Sequence, residues 1–534
     1  MKIKLLFLLI TSFCFSQEDA WVYFTNKPNA SYYLANPLEM LSQRALDRRN
    51  TQGIALNETD APVHQPYIDA ITNTNGIAVM AKSKWLNALH IRGSVTDIQS
   101  LESLSFVDYV QFANHSLNSK SPQENESFQM RNNNKLDVEV NFNYGNSANQ
   151  IEMLNGHLLH QQDYTGQGKI IAVLDSGFTG VDTAAPFQRL QTNGLILGGY
   201  NFPDRNTNYY SRHNHGTMVL SCMGGFADNQ LVGTAPDAQY YLFITEDVNS
   251  ENPVEESYWV EAAELADSLG VDVINTSLGY FGYDNPNYSY NYSQMNGVTA
   301  FISRGADMAF SKGIICVTSA GNSGSTSDPH IGVPADAIYT LAIGAVNSTE
   351  NYASFSSIGP SSDNRIKPDL AAKGQSATVS LTTGSIANAS GTSFASPILA
   401  GMVATLWSAV PNLTNEQIVQ VIKESADQYT SPDEFKGYGI PDFSSALAAA
   451  LSLSSFQQDV VNVYPNPFQD VLTVKWNNDK KATIEIYNIL GGRILNKTIT
   501  KYDNNLTLDG LSSGIYIYKI SSEISNLEGK LIKN

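Results

Sequence analysis

The sequence has 534 residues, 42% of them hydrophobic and 16% charged, a composition that indicates packed globular domains. Its formal net charge is −19, which argues against a nucleic-acid ligand because phosphate binding requires clustered Lys and Arg. The length is sufficient for about three domains.

A short basic and apolar leader opens the chain. Residues 1–4 include two lysines, and an apolar stretch from 5 to 15 precedes Ser16. This pattern is typical of a secretory signal peptide and is too short to span a bilayer. No second long apolar run follows in the sequence. We therefore predict a signal peptide over 1–16, export from the cell and no transmembrane anchor.

Residues 17–113 mix helix and strand patterns and predict a small α+β domain. The segment 114–150 is polar and rich in Asn, Ser and Gln, which is typical of a linker, and we predict that maturation cleavage falls within it. In the α+β domain the predicted strands are 21–24, 76–80 and 106–110, and the predicted helices lie near 66–72 and 98–104.

Region 151–455 alternates apolar strands with helices. This alternation predicts an α/β domain with a mainly parallel sheet and helices on both faces. Cys222 and Cys316 lie in apolar stretches, where we expect buried free thiols rather than a disulfide or a metal site. The predicted strands include 169–175, 239–244, 271–275, 314–319 and 340–346, and the predicted helices include 257–269 and 397–409.

An acid and a histidine occupy the ends of two of these elements. Asp175 ends an apolar strand, and ligands bind at the carboxyl edge of a parallel sheet. His215 begins an amphipathic stretch and is followed by Gly-Thr, whereas His213 lies in the preceding polar loop. A carboxylate at this edge can hold a histidine in one tautomer, and we predict His215 as that base. A capping aspartate in a strand-to-helix turn is the structural alternative.

A serine and an asparagine occupy two further element ends. Ser393 lies in a glycine-led turn before a long apolar helix, whose free N–H groups suit a developing oxyanion. Asn322 follows a buried strand, and its side-chain amide would face the same edge as an oxyanion donor. The structural alternatives are tight helix packing for the small residues and a left-handed turn for Asn322.

Four segments together resemble the signature blocks of the subtilase family of serine endopeptidases, in the chain order Asp, His, Ser of subtilisin. The likeness extends over roughly residues 150 to 450. The segments are VLDSG at 173–177, HGT at 215–217, SAGNSG at 319–324 and GTSFASP at 391–397.

The resemblance implies a role for each residue. Asp175 would be the orienter, His215 the general base and acid, Ser393 the nucleophile and Asn322 an oxyanion donor, with no cofactor required for the chemistry. The α+β domain is similar to the inhibitory propeptide of subtilases. The residues that would flank the primary specificity pocket and pair with an extended substrate are Ser277, Leu278, Gly279, Ser319, Ala320 and Gly321.

A Tyr- and Asn-rich loop between 280 and 292 adjoins the predicted substrate segment. Contact with peptide and an irregular loop of stacked tyrosines are both open interpretations. Asp284 and its neighbours are candidate ligands of a structural calcium ion, but they lack a regular ligand spacing, so no metal is assigned.

After residue 455 the pattern changes to short strands separated by glycine or polar turns, which predicts a small all-β sandwich over 456–534. The sequence of this module resembles the C-terminal sorting domain of type IX secretion in Bacteroidetes, which implies export by that machinery. A β module that binds a polymer or a partner protein is the alternative. The segments that carry the resemblance are 464–468, 486–491, 511–516 and 529–533.

The leading hypothesis is therefore a secreted serine endopeptidase that is made as a zymogen and cleaves proteins or peptides through an acyl-enzyme. Its partners would be the substrate, its own propeptide and the type IX secretion machinery. The alternative is a catalytically inactive surface-binding protein on the same scaffold, because a fold alone does not establish activity.

Overall fold

The computed structural model describes residues 17–118, 142–458, 462–475, 481–489, 491–500, 504–521 and 526–534. These residues belong to two compact units, one that ends at Leu447 and one that begins at Ala448. The predicted signal peptide and most of the predicted linker lie outside the described residues.

The N-terminal region contains β1 (Gln17–Phe24), α1 (Ala30–Ala35), α2 (Gln43–Thr51), α3 (Gln65–Thr72), β2 (Ile77–Ser83), β3 (Ala88–Ser94), α4 (Val95–Ser100) and β4 (Val107–Phe112). Its strands form an antiparallel sheet in the order β2-β3-β1-β4. The helices and strands of this region confirm the predicted α+β fold.

The following region contains α5 (Ala148–Glu152), α6 (His157–Gln161), β5 (Ile170–Asp175), α7 (Gln188–Thr192), β6 (Ile196–Asn201), α8 (His215–Gly224), β7 (Phe226–Ala227), β8 (Leu231–Val232), β9 (Gln239–Ile244), α9 (Val254–Leu269), β10 (Val273–Thr276), α10 (Phe301–Ser311), β11 (Ile315–Ser319), β12 (Leu341–Val346), β13 (Leu370–Lys373), β14 (Ala377–Ser380), β15 (Ile386–Ala389), α11 (Thr392–Ala409), α12 (Asn415–Glu424) and α13 (Phe443–Gln458).

Seven of these strands form a parallel sheet in the order β13-β12-β11-β10-β5-β9-β6. The central strands are buried along their whole length, because helices cover both faces of the sheet. Helices α8 and α11 pack on each other and on the sheet, and α9 and α10 form a second packed pair. The α/β prediction is confirmed.

Strand β1 contributes to two different cores. Ala20, Val22 and Phe24 pack within the N-terminal region. The alternate residues Trp21 and Tyr23 join a core that contains side chains of α9 and α10. Because side chains of a strand alternate between faces, one strand both stabilises its own region and attaches it to the parallel-sheet region.

Helix α9 binds the N-terminal region through buried carboxylates. Glu264 accepts hydrogen bonds from the Ser83 hydroxyl at 2.6 Å, from Trp85 N at 2.9 Å and from Lys84 N at 3.0 Å. Two of these bonds satisfy main-chain N–H groups of the turn that follows β2, and so this turn binds to the surface of α9.

A second carboxylate of α9, Asp267, is bound by two arginines of α2. The side-chain distances from Asp267 are 2.5 Å to Arg48 and 2.8 Å to Arg49, and all three side chains are almost completely buried. Arg49 also pairs with Asp60 at 3.0 Å. Burial alone would raise the pKa of Asp267, but the two guanidinium groups hold it below its ordinary value. We refer to Arg48, Arg49 and Asp267 as the arginine cluster.

The C-terminal unit contains β16 (Asn462–Tyr464), β17 (Val471–Lys475), β18 (Ala482–Asn488), β19 (Arg493–Ile499), β20 (Asn505–Thr507), β21 (Gly514–Ser521) and β22 (Asn526–Lys533). A three-stranded sheet, β16-β17-β20, and a four-stranded sheet, β19-β18-β21-β22, contribute to one apolar core that includes Leu472, Ile484 and Ile520. The predicted all-β fold is confirmed.

Two further sequence predictions concern membranes and thiols. Within the ranges given above, no helix is both long enough and apolar enough to cross a membrane. Cys222 and Cys316 are free and buried, and burial raises the pKa of both thiols, which disfavours the reactive thiolate. The expected buried free thiols are confirmed.

Candidate active site

The carboxyl ends of three neighbouring strands bring the predicted site residues to one edge of the sheet. Asp175 is the last residue of β5, which pairs with β10, and β10 pairs with β11. Ser277 directly follows β10, and Ser319 ends β11. The parallel direction of these strands therefore places all three segments at the same edge.

Asp175 and His215 form a directed pair. Asp175 is fully buried, and His215 begins α8 with a side chain that is 22% exposed. The His215 Nδ1 atom lies 2.8 Å from Asp175 Oδ1 and 3.1 Å from Oδ2. Asp175 also accepts a hydrogen bond from Ser176 N at 2.7 Å. Because the carboxylate accepts the Nδ1 proton, Nε2 of His215 is left as the basic nitrogen.

The same pair determines the charge properties of His215. Burial alone would lower the pKa of the imidazole, but the charge of Asp175 and its hydrogen bond outweigh burial and raise the pKa above the ordinary value. The carboxylate therefore stabilises the imidazolium form.

The alternative histidine, His213, has a different partner. Its Nδ1 atom lies 3.4 Å from the hydroxyl of Ser176, and its main-chain N–H donates to Ser176 O at 3.3 Å. Of the two histidines, the structure pairs His215 with Asp175.

Ser393 lies in the first turn of α11, next to the segment that follows β10. Its hydroxyl donates to Ser277 O at 3.2 Å, and the Ser277 hydroxyl donates in return to Ser393 O at 2.8 Å. The ring of the next residue, Phe394, lies 6.0 Å from the ring of His215. The turn that carries Ser393 is thus held between the Ser277 segment and His215.

Asn322 is oriented by the residue that precedes Ser393. Its Oδ1 atom accepts hydrogen bonds from Thr392 N at 2.9 Å and from the Thr392 hydroxyl at 3.1 Å. This leaves the Nδ2 donor directed away from Thr392. A methyl group built on Gly391 would lie 3.7 Å from both Asn322 Nδ2 and Ser393 N, so both nitrogen atoms lie near one point beside the Ser393 turn.

The predicted substrate segments adjoin this region. Ser277 is buried, Leu278 is half-buried and Gly279 is exposed. Ser319 and Ala320 are buried at the end of β11, and Gly321 donates its N–H to the Thr392 hydroxyl at 3.2 Å. Both segments therefore contact the turn that carries Ser393.

The match to the subtilase family model covers residues 166–439, which include all of these residues. The chain belongs to the subtilase family. A second family model, the peptidase S8 propeptide domain of Bacteroidota, matches residues 19–130, and a secretion system C-terminal sorting domain matches residues 462–534. The protein is a serine protease of this family with a propeptide and a type IX sorting domain, and it is exported for secretion or surface attachment.

Several subtilisins are similar in sequence to this chain. Subtilisin NAT of Bacillus subtilis subsp. natto is 32% identical over 299 residues, which cover 55% of this chain and 70% of that protein. Subtilisin of Bacillus pumilus is also 32% identical over 299 residues and is matched over 97% of its length. A solved structure of similar fold is that of fervidolysin from Fervidobacterium pennivorans, a keratinolytic enzyme related to subtilisin. The match covers 95% of this chain and 71% of fervidolysin, with a TM-score of 0.53. The sequences are 18% identical, so the likeness concerns the fold alone.

An acidic group lies beside the site of this subtilase. Within the described ranges, Glu246, Glu251 and Glu255 are the three acids whose carboxylate oxygens all lie within 4.8 Å of one another. The predicted calcium candidate Asp284 is outside this group and accepts a hydrogen bond from Glu251 N at 3.1 Å. No metal is assigned to either position.

Sequence reasoning missed three residues of the subtilase site. Thr392 orients Asn322, and only its position next to Ser393 could have indicated this. Glu246 comes two residues after the apolar strand β9, so a search for acids near the carboxyl ends of strands could also have found it. Tyr280, which follows Gly279, donates its hydroxyl proton to Glu246, and no sequence signal links these two residues.

Proposed function

We propose that the protein is a secreted endopeptidase that hydrolyses peptide bonds through an acyl-enzyme on Ser393. His215 would take the Ser393 proton as the hydroxyl attacks the scissile carbonyl, and Asp175 would stabilise the imidazolium. The observation that carries the proposal is the bond between Asp175 and Nδ1 of His215, since it leaves Nε2 as the base. The resting hydroxyl bond from Ser393 to Ser277 O would be exchanged for one to His215 when substrate binds.

Two donors would stabilise the tetrahedral oxyanion in the proposed reaction. Asn322 Nδ2 and Ser393 N lie near one point beside the Ser393 turn, and Thr392 orients the Asn322 amide through two hydrogen bonds to Oδ1. Donors that are oriented before the reaction require no reorganisation when negative charge develops. His215 would next give its proton to the leaving amine as the scissile C–N bond breaks, which leaves the acyl-enzyme. It would then take a proton from the attacking water and return that proton to Ser393 as the product acid departs.

Substrate would bind as an extended strand between two segments of the site. The proposed contacts are the main chain of Ser277, Leu278 and Gly279 and of Ser319, Ala320 and Gly321. The exposed position of Gly279, three residues after β10, supports this arrangement, since an added strand pairs with free main-chain groups. Before maturation, the N-terminal region would act as the inhibitor, and type IX machinery would export the zymogen.

A fluorophosphonate probe tests the proposal directly. We expect the matured protein to be labelled on Ser393, and we expect His215→Ala to abolish labelling because the serine loses its base. His213→Ala is the matched control and should label normally, since His213 contacts Ser176 rather than Asp175. A folded wild-type protein that takes up no probe would support the inactive binding protein instead.

The pH profile provides a second test. His215 acts as a base in its neutral form, so wild-type activity should fall as the pH drops through its raised pKa. Asp175→Asn removes the charge that raises this pKa, so the acid limb of kcat/KM should move to lower pH while kcat falls about 10⁴-fold. The measurement is kcat/KM as a function of pH in the wild type and in Asp175→Asn. An acid limb that stays in place or moves to higher pH in the variant would contradict the assignment of Asp175.

A further inference from the structure

Tyr280 and Glu246 join two segments that follow different strands of the sheet. The Tyr280 hydroxyl donates to a Glu246 carboxylate oxygen, and both residues are buried, with exposed fractions of 2% and 6%. Tyr280 comes after the segment that follows β10, and Glu246 comes two residues after β9. Strands β9 and β10 are the two neighbours of β5. The bond therefore spans the carboxyl end of β5, where Asp175 lies.

Each end of this connection is attached to the active site. Thr245, which precedes Glu246, donates its N–H to Asp175 O at 3.0 Å. On the other side, Tyr280 directly follows Gly279 in the proposed substrate segment. Its main chain is held by two hydrogen bonds to Val333, of 2.8 and 3.0 Å. Movement of Glu246 would consequently be transmitted to Gly279 through one side-chain bond.

We propose that Tyr280 and Glu246 form a strap that positions the substrate segment relative to Asp175 and thereby sets the binding of substrate residues on the N-terminal side of the scissile bond. Both are positioning residues, because they act through Ser277–Gly279 and not on the reacting atoms. The inference rests on the proposed function, since it assumes that this segment pairs with substrate.

The surroundings of Glu246 favour the protonated, uncharged form of its carboxyl group. Burial raises the pKa of Glu246 well above its ordinary value, and the nearby carboxylates of Glu255 and Glu251 raise it further. Within the described part of the chain, no Lys or Arg side chain forms an ion pair with Glu246 or Glu255. A protonated Glu246 still accepts the Tyr280 bond through its carbonyl oxygen, and glutamine has the same shape and the same acceptor.

The test compares two substrates with the same residue before the scissile bond, an N-acetyl amino-acid p-nitroanilide and a tetrapeptide p-nitroanilide. Tyr280→Phe and Glu246→Ala should each lower kcat/KM for the tetrapeptide about tenfold, mainly through KM, and change the single-residue substrate less than about twofold. The double variant should lose no more than either single variant, because one bond is removed in each case. Glu246→Gln should stay within about twofold of wild type on both substrates.

Tyr283→Phe is the matched control. Tyr283 is a buried tyrosine of the same loop, and its hydroxyl donates at 2.7 Å to Glu256, a buried acid of α9. Tyr283→Phe should lower the melting temperature as Tyr280→Phe does. It should leave the ratio of kcat/KM between the two substrates unchanged. A loss that is equal on both substrates, or absent on the tetrapeptide, would overturn the strap.

Probe labelling separates this outcome from failure of the proposed function. The concentration of labelled Ser393 is measured first, and kcat/KM is referred to that concentration. A wild-type enzyme without label contradicts the proposed function before any variant is compared. If the wild type is labelled but the ratio of kcat/KM between the two substrates is unchanged in both Tyr280→Phe and Glu246→Ala, the result contradicts the strap alone.

Discussion

Replacing Ser393 with alanine is expected to lower kcat by about six orders of magnitude, the loss that follows removal of this serine in a subtilisin. The proposed mechanism has no other nucleophile to form the acyl-enzyme, so only the oxyanion donors and substrate binding would remain. The variant should still fold, because the serine side chain makes one hydrogen bond, to Ser277 O. Hydrolysis of a tetrapeptide p-nitroanilide and of casein measures the effect.

Asn322→Ala provides a graded comparison for this prediction. Loss of one oxyanion donor should cost about 10²- to 10³-fold in kcat, with little change in KM, because the donor binds the oxyanion and not the ground-state substrate. Casein hydrolysis that persisted undiminished in Ser393→Ala would place the nucleophile elsewhere. Equal losses in the two variants would show that Asn322 is needed for more than oxyanion binding.

Breaking the arginine cluster is expected to lower the free energy of separating the N-terminal region from α9 by about 3–5 kcal/mol. Asp267→Ala would leave the buried Arg48 and Arg49 without the carboxylate that they share. The measurement is native-state hydrogen exchange of β1 to β4, made in the Ser393→Ala background so that the precursor stays intact. The opening free energy of these strands should fall by the stated amount.

The pH dependence of this prediction follows from the depressed pKa of Asp267. An acid with a lowered folded pKa contributes stability above its unfolded value, about 3.9, and loses it as the pH falls through the folded value. The difference in opening free energy between Asp267→Ala and its parent should therefore persist from neutral to mildly acidic pH.

Arg44→Ala is the control for the arginine cluster. The Arg44 side chain is 39% exposed and pairs with Asp272 at 2.6 Å, and Asp272 keeps Lys169 at 3.5 Å when Arg44 is removed. Because Arg44 is partly exposed and Asp272 keeps a second cation, removing Arg44 should cost less than about 1 kcal/mol. Similar effects of Arg44→Ala and Asp267→Ala would show that burial of the cluster is not the source of its strength.

The proposed active-site residues could be predicted because each lies at the end of a regular element. Asp175 ends an unbroken apolar strand, and His215 and Ser393 lie at or next to the first residues of helices α8 and α11. Such boundaries are visible in a sequence, and a parallel sheet brings them together without knowledge of any side-chain contact. The choice between His213 and His215 also followed from the helix start alone.

Elements held by polar contacts could not be predicted in the same way. Strand β3 contains His90, which is buried and bonded to Asp19 at 2.9 Å, so the expected alternation of apolar residues is lost. Helix α2 docks through arginines and has little apolar surface to produce a helical period. The Tyr280–Glu246 strap joins residues 34 positions apart in two loops, and only the order of the strands brings them together.

The attachment of the N-terminal region to α9 has a consequence for when the protease becomes active. While both regions belong to one chain, the effective concentration of the proposed inhibitor at α9 is on the order of millimolar. After cleavage in the predicted linker, occupancy depends on the real concentration of the released fragment. Enzyme crowded at the cell surface would stay occupied, whereas enzyme that diffuses away would lose the fragment, so distance from the cell would itself act as the activating signal.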